Sequence, residues 1–197
     1  EDTVTLVTDG DVDLHQSSTT VPLEVAPFTV NRARLQSNSG VGSELWLSGS
    51  YEASGTDFNL TGGDIRLTGN TTITAAQGLF IDSGTVIGPG ALTLNQDSPF
   101  TGIFFTSVPL GTSAVPLGGL TIDDASTAFG LNLGAVNVNG NVDITSGRQI
   151  TGNAPILVTG TSRFESTGAG NITLDNFNVF EDTVTLVTDG DVDLHQS

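Results

Sequence analysis

The chain has 197 residues, enough for one domain with a buried core, and its 37% apolar content is too high for a disordered tail. With no Cys, a disulfide scaffold and a thiolate metal site are excluded. Twenty-two acidic residues against five arginines leave a formal net charge of −17, the wrong sign for nucleic acid and for charge-driven adhesion to an anionic membrane; no apolar run reaches the ~18 residues of a membrane helix.

In chain order, Thr3–Thr8 (TVTLVT) alternates apolar and polar residues with the period of a half-buried strand, and DVDLH (Asp11–His15) follows as a second strand. Val21–Phe28 (VPLEVAPF) holds two prolines, which cannot donate to a ladder, and is expected at an edge or in an excursion. In ELWLS, Leu45 and Leu47 point inward and Trp46 outward, with Tyr51 just beyond. Asp64–Thr68 (DIRLT) and Ala91–Leu94 (ALTL) are further strands. Gln96–Gly119 carries three prolines with Phe100, Ile103, Phe104 and Phe105, and reads as an apolar loop excursion that covers an open side or meets a neighbour. Asp123–Phe129 (DDASTAF) is the one candidate for a short helix. Alternation resumes at Gly130–Leu133, Asn171–Leu174 and Phe177–Phe180, each run broken within a few residues by Gly, Asn, Asp or Ser. The fold class is all-β.

A longer rhythm overlies the strands. Gly-[Asp/Asn]-[Val/Ile]-x-[Ile/Leu] occurs at Gly10, Gly63, Gly140, Gly170 and Gly190, and the step from Gly170 to Gly190 is the shortest. The same step links Ile144, Phe164 and Val184, then Val138 and Val158, then Leu174 and Leu194. Such a period predicts a parallel β-helix, or β-solenoid, with coils of about 20 residues. A β-sandwich also gives many short strands, but hairpin signals are scarce. The Asn or Asp after each Gly suits a turn with left-handed backbone.

The segment EDTVTLVTDGDVDLHQS opens the sequence and recurs without change as Glu181–Ser197. Residues 1–180 are therefore read as one solenoid unit and 181–197 as the start of the next identical one. Nine coils in that unit would advance ~43 Å at the ~4.8 Å strand spacing.

The coils GNVDITSG (Gly140–Gly147), GNITLDN (Gly170–Asn176) and TDGDVDL (Thr8–Leu14) resemble those of secreted bacterial β-helix proteins, the filamentous-haemagglutinin-like adhesins and giant tandem-repeat surface proteins. The likeness spans most of Leu45–Leu194. It implies an extracellular rod at a bacterial cell surface or in a biofilm matrix, whose partners are its own copies, end to end or side by side, and surface glycans.

Candidate sites are few. Asp9, Asp11 and Asp13 alternate along one strand, with copies at Asp189, Asp191 and Asp193. Such carboxylates suit Ca²⁺, the one cofactor the sequence suggests, with six of them meeting where two units join. The calcium-loop pattern is incomplete, because Leu14 and Thr20 stand where Gly and Glu are wanted, and a solvated outward row is the competing reading. Asp123-Asp124 offers the paired carboxylates of a glycosidase, but lacks the surrounding His and basic residues and suits a helix cap or turn. Trp46 and Tyr51, with Phe104 and Phe105, are the candidate contact residues. The five arginines are dispersed, only Arg32 and Arg34 being close. The reading is a non-enzymatic structural filament or adhesin; the alternative is a carbohydrate-binding or carbohydrate-cleaving β-helix protein.

Overall fold

The structure, a computed structural model, describes residues 3–17, 21–38, 43–82, 84–105 and 108–197; Thr20 and residues 106–107 of the 96–119 stretch lie outside it. Strands arrive in chain order, coil by coil. β1 (Thr3–Val4) and β2 (Asp11–His15) form the first coil; β3 (Leu23–Val25), β4 (Phe28–Val30) and β5 (Arg32–Gln36) the second. β6 (Leu45–Ala53) and β7 (Phe58–Thr61) follow, then β8 (Ile65–Ala75) and β9 (Leu79–Asp82), then β10 (Val86–Ile87), β11 (Ala91–Gln96) and β12 (Ile103–Phe105). β13 (Gly119–Asp124) and β14 (Leu131–Leu133) precede β15 (Val136–Val138), β16 (Val142–Ser146) and β17 (Ile150–Gly152). β18 (Ile156–Val158), β19 (Ser162–Ser166) and β20 (Ile172–Phe180) lead to β21 (Val184–Val187) and β22 (Val192–Gln196).

Every pairing among these strands is parallel. A sandwich would need antiparallel hairpins, so the fold is the β-solenoid, with three ladders and about eight turns. The second ladder shows the step. Phe28, Tyr51, Ile73, Leu94, Ile122, Ile144, Phe164 and Leu186 are successive partners along it. The coils between them are typically ~22 residues long. The step from Ala91 to Gly119 is the longest of the series. The shorter step read from the sequence is real at Ile144–Phe164, Val138–Val158 and Leu174–Leu194, but Phe164 is followed by Leu186 and not by Val184. The interval between the two copies of the repeated segment therefore holds eight coil steps rather than nine.

The repeated Gly-[Asp/Asn] phrase marks the entry to a strand on whichever ladder comes next. It precedes β8 on the first ladder, β16 on the second, and β2, β20 and β22 on the third. The apolar pair after it points inward: Val142 and Ile144, or Ile172 and Leu174, are 2% exposed or less. Gly140 and Gly170 are not left-handed; a Cβ on Gly140 would lie 2.1 Å from the Gly118 carbonyl oxygen of the coil below, and Gly is what lets the coils approach. The following Asn ties coils together: Asn141 Oδ1 accepts from Thr161 N–H at 3.1 Å and Asn171 Oδ1 from Asp191 N–H at 3.0 Å.

The interior is a continuous apolar column from Val12 to Phe180. Prolines sit beside the ladders: β3 lies between Pro22 and Pro27. Of the 96–119 stretch, β12 joins the third ladder on β9, and Leu110 bridges Val86 and Val136 on the first. The extra length of this coil is taken up by the irregular residues around Pro99 and by the Thr112–Val115 turn. Asp123–Phe129 contains no helix; it is the end of β13 and a loop.

Candidate functional site

β2 lies on β5 in the register Asp11–Arg32, Val12–Ala33, Asp13–Arg34, Leu14–Leu35. Alternation sends Val12 and Leu14 inward and aligns two aspartates with two arginines on the outer face. Arg32 pairs with Asp11 at 3.1 Å and Arg34 with Asp13 at 3.8 Å; Asn31 Nδ2 also donates to Asp11 at 2.6 Å. All four charged side chains are about half exposed, so each pair contributes only ~0.2–1 kcal/mol and acts mainly on register and partner choice. With Asn59 and Thr61, Asp13 and both arginines line a polar hollow of about 310 Å³. The only two neighbouring arginines of the sequence thus face the aspartate row, a pairing that needed the coil register to be seen.

The identical second segment is placed differently. β22 lies on the preceding coil, with Val192 on Ile172, Asp193 on Thr173 and Leu194 on Leu174. The strand DVDLH thus takes the following coil on one edge in its first copy and the preceding coil on the other edge in its second. In both copies its Val and Leu align with inward residues. The strand before it is not equivalent. Val184–Val187 pairs along β19 on the second ladder, whereas Thr3–Val4 pairs with Glu24–Val25 on the first. In the second copy β21 lies on β19, and in the first copy β1 lies on β3.

Asn178 fixes the second segment. β20 runs around a corner, and the alternation set at Ile172 and Leu174 carries Asn178 and Phe180 inward and Phe177 outward. Asn178 Nδ2 donates to the carbonyls of Leu174 at 2.7 Å and His195 at 3.0 Å, and its Oδ1 accepts from Ile156 N–H at 3.0 Å. Exposed Phe177 rests against the His195 ring.

Within one chain the two Asp rows lie at opposite ends of the stack, and Asp11 and Asp13 face arginines. Among the described residues no group of three or more His, Asp or Glu is arranged to hold a metal ion.

The contact residues divide. Trp46 is on the outer face and part-buried, between Glu24 and Arg66 in its row; its indole N–H donates to Glu44 at 2.8 Å. Glu44 also accepts two bonds from Arg66, and these hold its carboxyl below the usual range. Tyr51 is not a surface contact. It is 1% exposed, because β6 is nine residues long and the parity that turns Leu45 and Leu47 inward continues past the bend at Gly49, whose φ is +102°. Its hydroxyl donates to the Val25 carbonyl at 2.5 Å, and burial raises its pKa. Phe104 faces outward, stacked on Phe80 at 5.1 Å and edge-on to Phe129 at 5.4 Å. Phe105 turns toward the core and lines a cleft of about 330 Å³ with Pro109 and Asn132.

Asp123 and Asp124 are successive residues of one strand, so their carboxylates point to opposite faces and do not flank a groove. Asp124 occupies an inner column that runs Val30, Ala53, Ala75, Gln96, Asp124, Ser146, Ser166, changing from apolar to polar partway along the stack. It is 1% exposed; Oδ1 accepts from Ser126 N–H at 3.1 Å, while Oδ2 and the neighbouring Gln96 Oε1 have no partner. Burial raises the Asp124 pKa to about 6.

The profile of a family described as repeats of unknown function (DUF5649) matches residues 117–187, from the residues just before β13 to the end of β21. No curated protein and no solved structure matches the chain. The chain is a repeat protein of β-solenoid architecture.

Proposed function

We propose that the chain is part of an extracellular structural filament or adhesin, a rod of end-to-end β-solenoid repeats that holds bacterial cells, surfaces or other rods together. The observation that carries this reading is the two-edged use of DVDLH. One strand sequence accepts the following coil in its first copy and the preceding coil in its second, with the same residues inward. A strand between two such neighbours continues the ladder, and a unit that ends as it begins repeats without a seam. Glu181–Ser197 is then the opening coil of the next unit, and Asp191 and Asp193 are the row that faces the next unit's arginines, not a calcium site. The acidic outer surface suits a rod that stays soluble.

Electron microscopy of native material tests this. Eight coil steps at ~4.8 Å set an axial repeat of about 38 Å. Isolated globular particles, or a repeat far from that value, would remove the filament reading.

Carbohydrate binding without cleavage is the second reading. What favours it is the outward cluster of Phe80, Phe104 and Phe129. Aromatic rings grouped on an outer face mark a contact site. A glycan titration that leaves the Phe104→Ala variant and the parent equal would discard it.

A further inference from the structure

We infer that a neutral glycan binds on the outer face of the third ladder, with one sugar ring laid against the free face of Phe80 and its hydroxyls in the polar hollow beside Arg34 and Asn59. The inference rests on the carbohydrate reading and adds to it a seat and a class of sugar.

The ladder register sets the site. Arg34, Asn59, Phe80 and Phe104 are successive partners on β5, β7, β9 and β12. Alternation keeps all four on the outer face, since Leu35, Leu60, Ile81 and Ile103 beside them are 2% exposed or less. The Phe80 and Phe104 rings are parallel to within 10°, with centroids 5.1 Å apart, so they stack along the ladder. Phe104 therefore covers one face of Phe80, and the other face turns back toward Asn59. Gly78 holds that ring close to the backbone, because a Cβ there would come 2.4 Å from a ring carbon. Asn59 also lines the polar hollow of about 310 Å³, with Asp13, Arg32, Arg34 and Thr61. The volume lies at the lower end of the ~300–1,000 Å³ of small-molecule sites. A hexose has a face of C–H groups and a rim of hydroxyls. The C–H face leaves water against an aromatic ring. The rim needs donors and acceptors side by side. Here the guanidinium and Asn59 amide N–H groups donate, and the Asn59 and aspartate oxygens accept. The charges of Arg32 and Arg34 are already met by aspartates at 3.1 Å and 3.8 Å. The hollow thus offers hydrogen bonds rather than net charge, and a chain of net charge −17 repels an acidic glycan.

The test is isothermal titration calorimetry of the full chain with maltohexaose, cellohexaose and mannohexaose, and with oligogalacturonate of the same length as the acidic control. At least one neutral hexaose should bind saturably, and oligogalacturonate should bind more weakly or not at all. Phe80→Ala, Asn59→Ala and Arg34→Ala should each weaken that binding by about tenfold or more. Circular dichroism of the Asn59 and Arg34 variants should match the parent, because neither side chain is in the core. No neutral hexaose binding at about 10 mM, tighter binding of oligogalacturonate, or binding that Asn59→Ala and Arg34→Ala both leave unchanged overturns the inference. In the last case a loss in Phe104→Ala alone would leave the carbohydrate reading standing, with the sugar held by the aromatic cluster only.

Discussion

Replacing Asp124 by Asn is expected to stabilise the protein at neutral pH and to flatten its pH dependence. The carboxyl is 1% exposed, one oxygen is without a partner, and its pKa is raised from 3.8 to about 6, first by desolvation. Asp123, on the opposite face of the strand, adds repulsion, while the Ser126 and Ile103 N–H groups oppose the shift. A raised carboxyl pKa means that the native state binds the proton more tightly than the unfolded chain. This contribution is fully present below pH ~4 and is lost as pH rises through about 6. Two pKa units correspond to about 3 kcal/mol. Asn keeps the acceptor for Ser126 and brings N–H donors beside the unpartnered Gln96 Oε1. Urea melts of parent and variant from pH 4 to pH 7.5 measure the difference. The gap should move toward the variant by about 2–3 kcal/mol, or roughly 5–10 °C in Tm for a domain of this size. Parallel stability curves across that range would refute the buried-carboxyl argument.

Asn178→Leu leaves the Leu174 and His195 carbonyls and the Ile156 N–H without their partner, and should cost about 2–4 kcal/mol. Hydrogen exchange should show the loss first in Glu181–Ser197, and unchanged protection there would count against Asn178 as the residue that fixes this segment. Trp46 fluorescence should be quenched more by acrylamide than by iodide, because Glu44 and Glu24 flank the part-buried ring and repel the anion; equal quenching would mean that the ring is free in solvent.

The period-two alternation and the recurring Gly-[Asp/Asn] phrase were sufficient for an all-β parallel solenoid, because both follow from what a stacked coil demands of its own residues. Each strand must fill a narrow interior from alternate positions, and each corner must let the next coil approach. The inward placement of Val142, Ile144, Ile172 and Leu174 is local in this sense and was legible. Coil length was less so, since the phrase marks strand entry on any of the three ladders and only its last interval is a true coil step. Tyr51 and Asn178 turned inward because strands bend through corners without losing parity, and a polar residue at an inward position gives no hydrophobic signal. The stacking of Arg32 and Arg34 on Asp11 and Asp13, and of Asp124 on Gln96, belongs to the tertiary structure alone. Residues a whole coil apart in the chain become neighbours only when the ladder register is set, and that register is decided by the packing of whole coils on one another.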